Sequence, residues 1–178
     1  MKKLMLSLTI LFAMICSLSF AQSTSSGTAD TTTINFVTNA TVANMKEIAA
    51  GKIAQKKAKD PAVKSFGAQM VDHHTMATKQ MAALVKSKGF KVPTPPISAV
   101  APDSALVSAK GADFDRMYMS QMVADHQKTI QLFETASTNV TDPDIKAFAV
   151  KTLPLLKQHL ASAQSIVSKL GTGTTSGK

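Results

Sequence analysis

The chain has 178 residues and a formal charge of +9 at pH 7, with 20 basic and 11 acidic side chains. Arg116 is its only arginine and aromatic residues make up 5% of it, which argues against a nucleic-acid-binding protein because such proteins rely on arginine and stacking aromatics. The lysines are spread along predicted helices, so we interpret them as solvated faces; if they bind anions, an acidic envelope surface such as the outer membrane is the expected partner.

A signal peptide is predicted at residues 1–21. Two lysines precede an apolar run over residues 4–15, and small residues near Ala21 suit a peptidase that cleaves after it. The run is shorter than the roughly 20 residues that a permanent membrane span requires. We therefore expect an exported protein, either periplasmic or associated with the outer membrane. Cys16 leaves with the signal peptide, which excludes thiol chemistry in the mature chain.

Four long helices are predicted to follow a flexible leader rich in Ser, Thr and Gly. An Asp-Pro pair opens the second and the fourth, because Asp caps a helix and Pro fits its first position. A Pro-rich stretch over residues 92–102 precedes a short helix and is predicted to contain no regular helix. No segment alternates with period two, so no sheet is expected. The long helices are predicted at residues 33–57, 60–89, 112–137 and 142–171, and the short helix at 103–111. The bundle domain is predicted to cover residues 33–170. The flexible leader precedes it at 22–32, and a disordered tail follows at 171–178.

The second and fourth helices begin alike. Asp60-Pro61-Ala62-Val63-Lys64-Ser65-Phe66 and Asp142-Pro143-Asp144-Ile145-Lys146-Ala147-Phe148 share a capping residue, a proline, a β-branched residue, a lysine and a phenylalanine in the same order. Each of these helices follows another long helix through a short loop. The sequence therefore predicts two αα-hairpins joined by a Pro-rich crossover, which together make an all-α four-helix bundle.

Each long helix carries one ionisable residue on its apolar face. These residues are Glu47, His74, His126 and His159, and His73 lies about 100° from the centre of its stripe. Burying such a group without a partner costs several kcal/mol. Converging groups could instead share one metal ion, and three imidazoles with a carboxylate suit zinc, copper or iron. The four residues are therefore the predicted metal ligands, although helix phase does not give their axial level.

Alternative interpretations of the same residues stay open. A histidine on an apolar face is also typical of a hydrogen-bonded core residue. Met70 and Met122 lie one turn before His74 and His126, which would suit copper, but methionine also fills gaps in helical cores. Pro154 predicts a kink one turn before His159, which either aims that side chain or only bends the helix.

The long helices carry extended motifs around the candidate ligands, from Phe36 and Glu47 on the first, through Met70-Val71-Asp72-His73-His74 on the second and Met122-Val123-Ala124-Asp125-His126 on the third, to Leu153-Pro154 and His159 on the fourth. These motifs resemble those of an exported bacterial family, domain of unknown function 4142. The resemblance covers about residues 34–170 and implies a ferritin-like fold, and some members are proposed to be outer-membrane proteins. The family usually has an acidic residue where His73 stands, a difference expected to alter how His74 is oriented. The matching motifs are Phe36 with Glu47, Met70-Val71-Asp72-His73-His74, Phe114-Asp115 with Tyr118, Met122-Val123-Ala124-Asp125-His126, and Leu153-Pro154-Leu155-Leu156-Lys157-Gln158-His159-Leu160.

A di-iron centre is not expected, because the Glu-x-x-His pairs of such bundles are absent: Val71 and Leu156 stand three residues before His74 and His159. We predict an exported protein that binds one metal ion for storage, buffering or stress tolerance, with Asp72, Asp115 and Asp125 as candidates for orienting the ligands. The alternative is a non-catalytic envelope protein that binds a protein partner or a surface. Nothing in the sequence indicates an enzyme.

Overall fold

The structure, a computed structural model, describes residues 29–172. The predicted signal peptide, residues 22–28 of the predicted leader and residues 173–178 of the predicted tail lie outside this range. The described part is all-helical, which confirms the predicted fold class, and no helix in it combines the length and apolarity that crossing a membrane requires. Its helices are α1 Thr31–Lys57, α2 Pro61–Ser87, α3 Ile97–Val100, α4 Ser104–Ser108, α5 Gly111–Asn139 and α6 Pro143–Thr172.

The starts of α2 and α6 follow from their Asp-Pro pairs. The Asp60 carboxylate accepts a hydrogen bond from Ala62 N at 2.7 Å, and Asp142 accepts one from Ile145 N at 3.0 Å. These bonds satisfy backbone donors that the first turn of a helix leaves free. Asp30 caps α1 in the same way, which is why α1 begins two residues earlier than predicted.

The prediction that residues 92–102 contain no regular helix was wrong for one turn. α3 occupies the stretch between Pro96 and Pro102 that contains no proline. Pro96 is its N-cap residue in an extended conformation, without a side-chain hydrogen bond. The prolines therefore delimit this turn rather than prevent it, because each restricts only its own and its neighbouring backbone angles.

Contacts between helix ends give the topology. Asp115, near the start of α5, accepts hydrogen bonds from the turn between α1 and α2. Lys88, after the end of α2, pairs with Asp142 and Asp144 at the start of α6. α2 and α5 therefore run parallel, and α1 and α6 run in the opposite direction. α1 packs against α2 and α5, and α6 packs against the same two helices. The crossover over residues 88–110 spans the length of the bundle.

The hydrophobic core is divided into two clusters along the bundle axis. One lies at the end where α1 and α6 begin and includes Phe36, Phe133 and Phe148. The other lies where α2 and α5 begin and includes Phe66 and Phe114. The middle turns of the four long helices lie between the clusters, and they carry most of the buried polar residues among those described: Asn44, Glu47, His74, His126, Thr129 and His159.

Candidate metal centre

Three of the four predicted ligands converge in this polar layer. His74 on α2, His126 on α5 and His159 on α6 are 4%, 1% and 1% exposed. One ring nitrogen from each lies within 4.8 Å of the other two. Their axial level, which the sequence did not give, follows from the parallel α2 and α5 and from the short turn that sets α6 against α5.

His74 is oriented by Asn44, a residue of α1 that the sequence analysis missed. Its Nδ1 lies 2.7 Å from Asn44 Oδ1, so Nδ1 carries the proton and donates it. The other nitrogen, Nε2, is buried and has no hydrogen-bond partner among the described residues. Asn44 stands three residues before Glu47 on the inward face of α1, and this spacing was the available signal for it.

The other site histidines form a chain of hydrogen bonds. His126 Nδ1 lies 2.9 Å from the Met122 carbonyl oxygen, and His126 Nε2 lies 3.3 Å from His159 Nδ1. His159 Nε2 in turn lies 2.8 Å from Nδ1 of His73. The His73 side chain reaches across to α6 and contacts His159, because it leaves α2 at the edge that faces α6. An influence of His73 on the orientation of His74 stays a prediction.

Glu47 lies beside the histidines rather than among their converging nitrogens. Its Oε1 is 3.9 Å from His126 Nδ1, the nitrogen that faces the Met122 carbonyl. Glu47 Oε2 and the Tyr118 hydroxyl are both buried and have no hydrogen-bond partner among the described residues. Burial, and next the charge of Asp125, raise the pKa of Glu47 to about 8, while burial and the nearby Glu47 raise the pKa of Tyr118.

The three histidines are held neutral. Burial, and then the positive charge that the neighbouring histidines would carry, lower the pKa of His74 to about 3. The same causes lower the pKa of His159 to about 3, and burial lowers the pKa of His126 despite its bond to the Met122 carbonyl. A neutral imidazole keeps one lone pair for a metal ion, so the triad is available as a ligand set over a wide pH range.

The three aspartates differ in their relation to the site. Asp115 is buried and accepts hydrogen bonds from Lys59 N at 3.0 Å and Asp60 N at 2.8 Å, so it fastens the α1–α2 turn and orients no ligand. Asp72 is exposed. Asp125 contributes through its charge, which raises the pKa of Glu47.

The sequence matches the family described as Domain of unknown function (DUF4142) over residues 19–166. No curated protein matches it. The fold is similar to that of a DUF305 fragment from Deinococcus radiodurans, with a TM-score of 0.69 at 13% identity over 80% of this chain and 99% of that one.

Two structures of CopM are also similar. Copper(II)-bound CopM gives a TM-score of 0.63 at 17% identity over 77% of this chain and 96% of that one. Silver-bound CopM gives 0.57 at 21% identity over 82% and 97%. At these identities the likeness establishes a common fold, and the chemistry of the site has to be argued from its own residues.

Proposed function

Because the chain belongs to the DUF4142 family, whose function is unknown, we propose a function from its residues: it binds one transition-metal ion through His74, His126 and His159. Two observations carry the proposal: the Nε2 of His74 is buried without a partner among the described residues, and one ring nitrogen from each of the three histidines lies within 4.8 Å of the other two. An unsatisfied polar atom in a core costs about 1–3 kcal/mol. A bound ion would supply the missing partner.

The spacing of the three nitrogens fits a metal site after a small adjustment. Nitrogens bound at about 2.0 Å from one ion lie about 3.4 Å from each other. His126 Nε2 and His159 Nδ1 are already 3.3 Å apart. The whole group spans no more than 4.8 Å, so a shift of about one ångström by His74 would close the set.

Copper or silver in the +1 state is the ion that this environment favours. The ligands are three neutral imidazoles between two apolar clusters, and the cost of transferring an ion from water into such surroundings rises with the square of its charge. Buried Met70 and Met122 lie one turn from the histidines on the same side of the layer, since α2 and α5 are parallel. The similar CopM structures contain copper or silver. Zinc and iron are the alternatives that loading experiments have to exclude.

Glu47 remains the predicted fourth member of the site. Its Oε1 lies 3.9 Å from His126 Nδ1 and its buried Oε2 has no partner among the described residues, so a nearby cation would favour loss of its proton. It would act as a ligand after a side-chain movement, or as a counter-charge from its present position.

A role in metal storage, buffering or tolerance outside the cytoplasm is the corresponding cellular function. The N-terminal pattern of two lysines, an apolar run and small residues supports export. A DUF305 protein from Streptomyces coelicolor that is proposed to be secreted has a similar fold, with a TM-score of 0.68 at 13% identity over 79% of this chain and 92% of that one.

A structural role in the envelope, with peripheral contact to the outer membrane or to a protein, is the second candidate. The observation in its favour is the chain of hydrogen bonds from His73 to the Met122 carbonyl, which satisfies His126 and His159 without any ion. That chain leaves His74 Nε2 unexplained, which is why metal binding is the preferred proposal.

Metal content and titration would test the proposal. The predicted mature chain, residues 22–178, which lacks the thiol of Cys16, would be purified without a histidine tag. It would be loaded anaerobically with copper(I), and separately with silver(I), zinc(II) and iron(II). About one ion per chain is expected for copper(I) or silver(I), and its loss is expected in a His74→Ala, His126→Ala double variant. Val140→Ala serves as a control, since it removes buried methyl groups at the far end of α5 and leaves the histidines intact. The absence of stoichiometric binding for every ion would refute the proposal.

A further inference from the structure

His73 is the one histidine of the four that is only half-buried. Its ring meets that of His159 edge to edge, with centroids 5.1 Å apart and planes at 15°, and its Nδ1 lies 2.8 Å from His159 Nε2. It does not belong to the converging triad. Within the described part of the site, the only close polar partner of His73 is therefore His159 Nε2, the ring nitrogen on the side away from His126.

The hydrogen-bond chain determines where the protons are in the metal-free protein. The Met122 carbonyl can only accept, so His126 Nδ1 carries a proton and His126 Nε2 has a lone pair. His159 Nδ1, 3.3 Å from that lone pair, must then be the donor. A neutral His159 has its own lone pair on Nε2, and His73 Nδ1 donates to it.

Metal binding requires the opposite arrangement on His159. The nitrogen next to His126 Nε2 is His159 Nδ1, so this atom has to release its proton before it can bind an ion. His159 then carries its proton on Nε2, and the atom opposite, His73 Nδ1, has to accept. Each ring exchanges a proton on Nδ1 for one on Nε2, so both stay neutral and the pair gains or loses no proton.

We propose that His73 is a positioning residue, which binds no metal itself but selects the tautomer of His159 that presents Nδ1 to the ion. This inference rests on the proposed metal site and extends it to a residue outside the triad. An imidazole suits the task because it can donate in the metal-free state and accept in the loaded state. Mutation of the residue that hydrogen-bonds a metal-binding histidine typically lowers metal affinity 10–100-fold.

Two substitutions separate hydrogen bonding from packing. His73→Phe retains a flat aromatic ring beside His159 but offers neither a donor nor an acceptor. His73→Gln loses the ring but keeps an amide that can donate in one state and accept in the other. We expect His73→Phe to bind silver(I) about 10–100-fold more weakly than the unmodified protein, and His73→Gln to retain most of the affinity.

The measurement combines silver(I) affinity with NMR of the histidine ring nitrogens, since silver(I) is diamagnetic. His159 is expected to be protonated on Nδ1 without metal and on Nε2 when loaded, and this change is expected to be impaired in His73→Phe. Val140→Ala controls for a general loss of stability, which would not move the proton.

The possible failures are distinguishable. Equal silver(I) affinity in His73→Phe and the unmodified protein, or His159 protonated on the same nitrogen in both states, would overturn the role of His73 while the metal site stands. A loss of affinity in His73→Gln as large as in His73→Phe would also overturn it. No silver(I) binding by the unmodified protein would overturn both proposals.

Discussion

Replacing Glu47 with glutamine should make the metal-free protein more stable at neutral pH. The Glu47 carboxyl is buried beside His126 and Tyr118 and has one oxygen without a partner. Burial, and then the charge of Asp125, raise its pKa from 4.5 to about 8. Glutamine has nearly the same shape and no charge to desolvate, so it removes the cost of keeping this group protonated.

The magnitude follows from the two pKa values. Between pH 4.5 and pH 8 the folded protein keeps the Glu47 proton and the unfolded chain has lost it, so stability falls as the pH rises through this window. Each pH unit corresponds to about 1.4 kcal/mol. At pH 7 the accumulated cost is about 3 kcal/mol, a large part of the typical 5–15 kcal/mol stability of a domain. Glu47→Gln is expected to recover most of it.

Urea unfolding of both metal-free proteins at pH 5, 6, 7 and 8 would test this reasoning. The difference in the free energy of unfolding should be small at pH 5 and grow by about 1.4 kcal/mol per pH unit. Histidine titration contributes to both proteins and largely cancels in the difference. A difference that stays constant with pH, or a variant that is less stable at pH 7, would refute the raised pKa of Glu47.

Three further predictions concern the turn, the helix contact and the histidines. Asp115→Ala removes the acceptor of two backbone N–H groups and should lower the free energy of unfolding by about 1–3 kcal/mol; an unchanged urea midpoint would contradict this. Gly51→Ala places a Cβ 2.7 Å from Gly67 O, and it should lower the free energy of unfolding by a similar amount in the same assay. An unchanged urea midpoint would show that α1 and α2 move apart without cost. Below pH 6.5 the unfolded chain protonates histidines that the fold keeps neutral. Metal-free stability should therefore decrease towards pH 3 by up to about 1.4 kcal/mol per pH unit for each of His74 and His159, partly offset by Glu47; a flat calorimetric profile would exclude a neutral triad.

Local chemistry made the helices predictable from the sequence. Asp60 and Asp142 cap the helices that they were expected to cap, because the cap needs only residues within one turn. The inward position of His74, His126 and His159 also follows from helical phase, and all three are buried.

The partners of these residues depend on contacts between helices, and the sequence does not specify them. Asn44 lies on α1 and Tyr118 on α5, and their significance appears only when α1 is placed against α2 and α5. The sequence places Tyr118 in a family motif, but it does not reveal that the hydroxyl of this residue is buried without a partner within the described part of the chain. Helical phase places His73 at the edge of the apolar stripe of α2. Which helix this edge faces depends on the topology of the bundle, and the sequence does not specify it.

The proposed metal site is largely pre-organised before an ion binds. Asn44 fixes the ring of His74 and the Met122 carbonyl fixes that of His126, so two ligands are oriented by hydrogen bonds that metal binding leaves intact. The one hydrogen bond that the ion has to replace joins His126 Nε2 to His159 Nδ1, and of these two nitrogens only that of His159 carries a proton. The ordering cost of binding is therefore concentrated in one ring, because a pre-organised site loses little conformational freedom. A change at the partner of that ring, His73, should consequently alter affinity more than a change to any other residue outside the triad and Glu47.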